Sequence, residues 1–214
     1  MIKYLSISIC LFNKAYNKYI KSIYYKFQLG YCGKNVMVKK PNAYTSLSRM
    51  YMFDNTNIFE GFNFISYTGK FIMKKNSSAA QGLTIITGNH GRQIGSFFIL
   101  LVKERLLEIE KDIIVEEDVY IGANVTILSG VTIGRGSNIG AGSVLRFNIP
   151  PYSIVIGNPA KIIGFVMTPD EIIEHEKVLY TKEERLKIEV LKDNYNKYFI
   201  SQMRNIKTYI NINV

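Results

Sequence analysis

The 214-residue sequence predicts a mainly β fold, a parallel β-coil with helical ends, on three observations. A six-residue period runs through 115–149. Gly and Asn recur where each six-residue unit has to turn. A proline pair then stops the period just ahead of two helix-start signals.

Written in sixes, the period reads V-E-E-D-V-Y, I-G-A-N-V-T, I-L-S-G-V-T, I-G-R-G-S-N, I-G-A-G-S-V, L-R-F-N-I-P. An aliphatic residue opens each unit: Val115, Ile121, Ile127, Ile133, Ile139, Leu145. Four residues on comes a small or β-branched one: Val119, Val125, Val131, Ser137, Ser143, Ile149. Strand alternation explains the spacing. Val119 and Ile121 point to one side and Tyr120 to the other. Gly122, Ala123 and Asn124 then turn the chain, Gly and Asn being the residues that accept positive φ. Each unit buries two side chains and bends, so repetition closes a coil whose strands pair with the coils before and after. A period of six matches neither 3.5 nor 3.6, which excludes a heptad helix. Units poorer in glycine extend upstream through I-F-E-G-F-N (58–63), F-I-S-Y-T-G (64–69) and F-I-M-K-K-N (71–76).

Pro150 and Pro151 cannot donate ladder hydrogen bonds, so regular pairing is expected to end there. Thr168-Pro169-Asp170-Glu171 and Thr181-Lys182-Glu183-Glu184 each carry a capping-box pattern, which predicts a helical tail over 169–210 covering the open end of the coil. At the other end, Leu5, Ile9, Phe12, Tyr16, Ile20, Ile23 and Phe27 recur at spacings of three and four, with Lys14, Lys18 and Lys21 opposite, as in an amphipathic helix. The expected organisation is a basic helical segment over 1–32, the coil over 33–166 with a loop at 91–112, and a helical extension over 167–214.

Composition bounds the rest. At 47% hydrophobic and 21% charged residues the chain is globular and long enough for one core. Cys10 and Cys32 have no metal-type spacing, and a reducing cytoplasm is the expected setting. The net charge is +10, and residues 1–53 hold Lys3, Lys14, Lys18, Lys21, Lys26, Lys34, Lys39, Lys40 and Arg49 with no acid. Such a start suits an anionic partner, including a membrane surface for peripheral association. No segment is long and apolar enough to span a bilayer. Nothing resembles a helix-turn-helix or an aromatic nucleic-acid platform, so no nucleic-acid partner is expected.

The repeat, closing in I-P-P-Y-S-I-V-I-G-N-P-A-K (149–161) and preceded by G-K-F-I-M-K-K-N-S-S-A-A-Q-G-L-T-I-I-T-G-N-H (69–90), resembles the hexapeptide-repeat acyltransferases, in particular the branch of galactoside, maltose and capsular polysaccharide O-acetyltransferases. The resemblance covers roughly 33–200. It implies a left-handed parallel β-helix of triangular section, acetyl-CoA as co-substrate, no metal, and a homotrimer with sites between subunits. It implies O-acetylation of a sugar or polysaccharide precursor. Acetylation of an amine on an amino sugar or antibiotic, and a non-catalytic β-solenoid, are the competing readings. The γ-class carbonic anhydrases share this fold but need three His ligands, and only His90 lies in the coil.

The resemblance also assigns residues. His90, between the β-prone L-T-I-I-T (83–87) and the apolar I-G-S-F-F-I-L-L (94–101), matches the family's general base. Imidazole exchanges a proton near neutral pH, which suits deprotonating a sugar hydroxyl. A backbone N–H at Gly122 or Ala123 would receive the oxyanion. Ala123 and Ala141 would line the pantetheine groove, and Arg146 and Lys161 would meet the phosphates. Some relatives carry Thr-Lys where this chain has Arg146-Phe147, and Phe147 suits stacking on adenine rather than phosphate. Tyr120 stands where many relatives have Trp, and Asp54, Asn55 and Asn57 would hold the acceptor. His175 reads as a solvated helix residue.

Overall fold

The chain winds as a three-walled prism. The structure, a computed structural model, describes residues 22–104 and 108–201. A first helix, α1 (Ser22–Phe27), leads in. Coil one holds β1 (Tyr31–Cys32), β2 (Met37–Val38) and β3 (Ala43–Tyr44); coil two holds β4 (Met50–Met52), β5 (Asn57–Ile58) and β6 (Asn63–Ile65); coil three holds β7 (Phe71–Met73), β8 (Ser78–Ala79) and β9 (Thr84–Ile86). An excursion follows, made of β10 (Gly88–His90), α2 (Phe98–Glu104) and β11 (Glu108–Glu110). Coil four resumes with β12 (Ile113–Val115), β13 (Tyr120–Ile121) and β14 (Thr126–Ile127), and coil five with β15 (Thr132–Ile133), β16 (Asn138–Ile139) and β17 (Val144–Leu145). Then come β18 (Ser153–Ile156), β19 (Lys161–Phe165), α3 (Pro169–Leu179) and α4 (Ile188–Tyr195), which runs into a π-turn at Asn196–Ile200.

Every third strand pairs in parallel with its counterpart one coil on. Wall A is β1-β4-β7-β12-β15, wall B is β2-β5-β8-β13-β16-β18 with β19 antiparallel at its end, and wall C is β3-β6-β9-β14-β17. Each unit opener in the expected repeat is buried, as are Ile58, Phe64 and Phe71 upstream, while Tyr120 and Asn138 point out. The fourth-position residues are buried too, and their hydroxyls are satisfied: Ser143 donates to the Gly140 carbonyl at 2.7 Å, and Ser137 to that of Pro150 at 3.0 Å. The prism is filled by large side chains in its first coils (Phe62, Phe64, Phe71, Met50, Met52) and by Val and Ile later.

Several expectations need adjusting. The described part of the first helix buries Tyr25, whereas Ile23 and Phe27, on the apolar face read from the sequence, are exposed. The rest of that amphipathic segment, residues 1–21, lies outside the described residues, as does the tail beyond 201. Pro150 and Pro151 end the six-residue period but not the wall. They occupy an edge turn, where no ladder N–H is needed, and β18 still pairs with β16. The first capping box forms at Thr168 and Glu171 and starts α3. The second forms its bonds, Thr181 Oγ1 donating to Glu184 Oε2 at 3.0 Å, yet caps only a turn. Tertiary contacts decide this: the Glu184 carbonyl accepts from Arg135 and the Leu186 N–H donates to Glu176, so the chain is turned before a helix can propagate from Thr181. The tail lies against the edge between walls A and B, through Tyr152, Ile172 and Leu191, and over β19, where Phe165 meets Tyr195. His175 is half-buried there, edge-on to Tyr152 at 6.2 Å, instead of solvated. No described helix is long and apolar enough to cross a membrane.

Candidate active site

The three prism edges differ in chemistry, and each predicted residue falls on or beside one of them. Along edge AB, the turns place Asn35, Asn55, Asn76, Asp118, Gly136 and Tyr152 at positive φ in successive coils. The asparagines form an amide ladder, Asn35 to Asn55 and Asn55 to Asn76, each at 3.0 Å. The residues just before them alternate in sign, Lys34, Asp54, Lys75, Glu117 and Arg135. Lys75 lies 3.5 Å and Arg135 3.6 Å from Glu117. Asp54 also accepts the Lys34 N–H at 2.7 Å. Asp54 and Asn55 are thus engaged in the edge ladder. Asn57 stands half-buried on the outer face of wall B, between Met37 and Ser78 in the register.

Edge BC has a different column: Lys40, Glu60, Gln81, Ala123 and Ala141, linked because each following turn residue donates its N–H to the carbonyl one coil back, as Gly142 does to Ala123 at 2.8 Å. Long side chains in the first coils give way to two methyl groups in the last two. Gly122 sits where a Cβ would come within 2.7 Å of the Ala141 nitrogen, so the coils close tightly. The result is a strip of near-bare backbone on coils four and five. It suits an extended, slender chain laid along the edge. The Gly122 N–H is committed to the Ile139 carbonyl at 2.8 Å, so of the two expected oxyanion donors Ala123 is the one that remains. At the end of the strip, Val144 bonds both Gly157 and Ala160. This brings the exposed Arg146 and Lys161 to the same end of the prism. Tyr120 is 54% exposed on wall B, flanked by Ser78 and Asn138.

Edge CA carries His90. β10 leaves the prism after wall C, pairs antiparallel with β11, and returns the chain to wall A. His90 ends β10, exposed, its ring edge-on to Phe98 of α2 at 5.8 Å. The Arg92 guanidinium sits over the Phe98 ring, 4.6 Å from its centroid. A cavity of about 250 Å³ opens beside it, lined by Ile65, Tyr67, Ile86, Gly88, Asn89, His90 and Glu110. Within the expected loop 91–112 the described residues include a helix and a returning strand. Its apolar residues Ile94, Phe97, Ile99 and Leu100 face outward.

Glu110 is the residue the sequence reading missed. Its carboxylate accepts the N–H groups of Tyr67 and Thr68, both at 2.8 Å, that of Gly69, and the Thr87 hydroxyl at 3.0 Å. Partial burial alone would raise its pKa. The three backbone donors and Thr87 outweigh that and hold the carboxyl below its usual range. Nothing in the run E-R-L-L-E-I-E-K-D (104–112) marks which acid folds back. Within one chain, Asp54, Asn55 and Tyr120 do not line the His90 cavity.

Wall order, edge turns and burial together define a left-handed parallel β-helix of the hexapeptide-repeat type. Residues 112–146 match the family model described as bacterial transferase hexapeptide (six repeats). No curated protein sequence matches the chain. Among solved structures, the chain is similar to a hexapeptide-repeat acetyltransferase of Vibrio cholerae O1 biovar eltor complexed with acetyl coenzyme A, with 24% identity and a TM-score of 0.57 over 67% of this chain and 74% of that one. It is similar to a galactoside acetyltransferase in complex with coenzyme A at 24% identity and a TM-score of 0.57, covering 76% and 75% of the two chains. It is also similar to an N-acyltransferase of Bacillus cereus in complex with dTDP and 3-hydroxybutyryl-CoA, at 16% identity, a TM-score of 0.53, and coverage of 76% and 97%. These likenesses establish the fold.

Proposed function

We propose that the protein is a cytoplasmic acetyl-CoA-dependent O-acetyltransferase acting on a hydroxyl of a sugar or polysaccharide precursor. The observation that carries this reading is His90: an exposed imidazole at the end of a strand, at the mouth of a cavity, where the hexapeptide coil is interrupted. Acetyl-CoA supplies an activated acyl carbonyl. The bare strip at Ala123 and Ala141 fits its slender arm, and Arg146 and Lys161 fit its phosphates. His90 takes the proton of the acceptor hydroxyl as that oxygen attacks, then returns it to the departing sulfur. Ala123 lies on edge BC and His90 on edge CA, so it is the Ala123 N–H of a neighbouring subunit that stabilises the developing oxyanion. Tyr120, with Asp54, Asn55 and Asn57, forms the acceptor wall of a neighbouring subunit in a homotrimer. Exposed Ile94, Phe97, Ile99 and Leu100 on the excursion support such packing, since exposed apolar clusters mark contacts.

Mass spectrometry of candidate glycans after incubation with acetyl-CoA tests the reading. A mass gain of one acetyl group on a hydroxyl, lost in His90→Ala, is the expected result. Modification of amines alone would make the protein an amino-sugar N-acetyltransferase. Full turnover by the variant would remove His90 from the reaction.

A further inference from the structure

The hairpin that carries His90 emerges from a surface edge, and an exposed two-stranded hairpin is marginally stable by itself. Beside the bonds that Lys111 and Asp112 make at its base, one side chain ties it to the prism. Glu110, opposite Gly88 in the β10–β11 register, reaches back to the prism, and its two carboxylate oxygens meet four donors: Tyr67, Thr68 and Gly69 N–H, and the Thr87 hydroxyl. Tyr67 to Gly69 is the turn from wall C to wall A one coil below, and Thr87 is the last residue before β10. The clasp therefore joins both feet of the hairpin to the neighbouring coil.

Two glycines make room for it. Gly61, Gly82, Gly130, Gly136 and Gly142 in the coil turns have positive φ, but Gly69 and Gly88 do not, so conformation does not require them. Space does. A Cβ at Gly88 would lie 3.0 Å from a Glu110 carboxylate oxygen. One at Gly69 would lie 2.7 Å from Thr87 Cβ and 3.1 Å from the other carboxylate oxygen. Glu110 lines the His90 cavity, yet with four donors on its oxygens it is poorly placed to accept a substrate proton.

We propose that Glu110 is a positioning residue for His90: its carboxylate, held in the Tyr67–Gly69 turn, clamps the hairpin so that the imidazole keeps one place at the cavity mouth. This rests on the reading of His90 as the base. The sign of its pH dependence follows from the depressed carboxyl pKa. The clamp is complete above the ordinary glutamate range and opens only as pH falls through the lower, folded value.

The test uses the full chain with Glu110→Gln, Glu110→Asp, Gly69→Ala and His90→Ala. Three readouts are needed: kcat and KM for acetyl-CoA, amide exchange at residues 67–69, and the NMR signals of the His90 ring. Glu110→Gln is expected to lower kcat by about 10- to 100-fold, as a displaced catalytic group does, with KM for acetyl-CoA within about twofold. It should also speed exchange at residues 67–69 and broaden the His90 resonances. In the wild type, protection at 67–69 should persist to pH values below the ordinary glutamate range. Glu110→Asp, one methylene shorter, should fall between Gln and wild type, and Gly69→Ala should act in the same direction with the charge intact. Unchanged kcat, or unchanged exchange at 67–69, in Glu110→Gln overturns the proposal. If His90→Ala retains full turnover, the functional reading fails separately. Exchange and the ring signals then still decide whether the clamp exists.

Discussion

Edge AB and edge CA are built from the same repeating unit and behave as opposites. Along AB each coil crosses in one residue at positive φ, and the side chains stack coil upon coil, amide on amide and cation on anion. Along CA hardly two crossings are alike: a 3-10 turn at Leu47–Arg49, the tight Tyr67–Gly69 turn, the His90 hairpin, then Ser129-Gly130 and Arg146–Asn148. The walls tolerate this. Ile72 pairs with Ile114 42 positions on as regularly as Ile114 pairs with Thr132 eighteen on. Lengthening a turn outside the ladders costs only slowly growing closure entropy. The closed edge holds the coil together, and the interrupted edge is free to carry chemistry.

That contrast can be broken at either end. The largest effect is expected on the open edge: His90→Ala should lower turnover by about 10²–10⁴-fold, measured with acetyl-CoA and the identified acceptor, while the circular dichroism spectrum stays unchanged. Next comes the closed edge. Glu176 is fully buried, accepts from Tyr152 at 3.0 Å and Leu186 at 2.6 Å, and pairs with Arg135, itself 4.0 Å over the Tyr180 ring. Burial, with the Glu176 charge beside it, pushes the Tyr152 phenol up; Tyr180 is pushed up to about 12 by burial first. Glu176→Ala leaves Arg135 with Glu117 as its counter-charge and removes the acceptor of Tyr152 and of the Leu186 N–H, and should cost about 3–5 kcal/mol in urea unfolding, leaving the kcat of the surviving folded fraction near wild type. Loss of kcat beyond that fraction would mean the two edges are coupled.

Smaller effects sharpen the picture. Replacing Ala141 by Leu should fill the bare strip of edge BC and raise KM for acetyl-CoA several-fold without moving Tm. An unchanged KM would place the co-substrate elsewhere. Asn55→Ala removes two ladder hydrogen bonds and the short polar side chain that makes the αL conformation tolerable, and should cost about 1–3 kcal/mol. Asn55→Gly keeps the backbone and should cost less. If Asn55→Ala instead raised KM for the acceptor at unchanged stability, Asn55 would belong to the acceptor wall rather than to the ladder.

The amino-acid sequence by itself determined the prism. Six-residue alternation dictates which side chains enter the core, and Gly or Asn at the turns dictates where it bends. Both are local rules, so 115–149 could be read unit by unit, and Ile58 and Phe64 open units in the glycine-poor coils as expected, whereas at 71–76 the register shifts by two, Met73 rather than Phe71 standing opposite Val115. His90 was legible because a lone imidazole stands where the period fails. The tertiary structure alone decided the rest. Glu110 is one acid among four in 104–112, and only the return of β11 to the turn at Tyr67–Gly69 singles it out. Asp54 and Asn55 read from the sequence as acceptor ligands, and only the stacking of coils reveals their ladder partners, 20 or 21 residues distant. Thr181 has a helix-start pattern, yet Arg135 and Glu176 fix the turn that follows it. In each case the deciding contact joins residues far apart in the chain, and no local pattern of side chains encodes such a meeting.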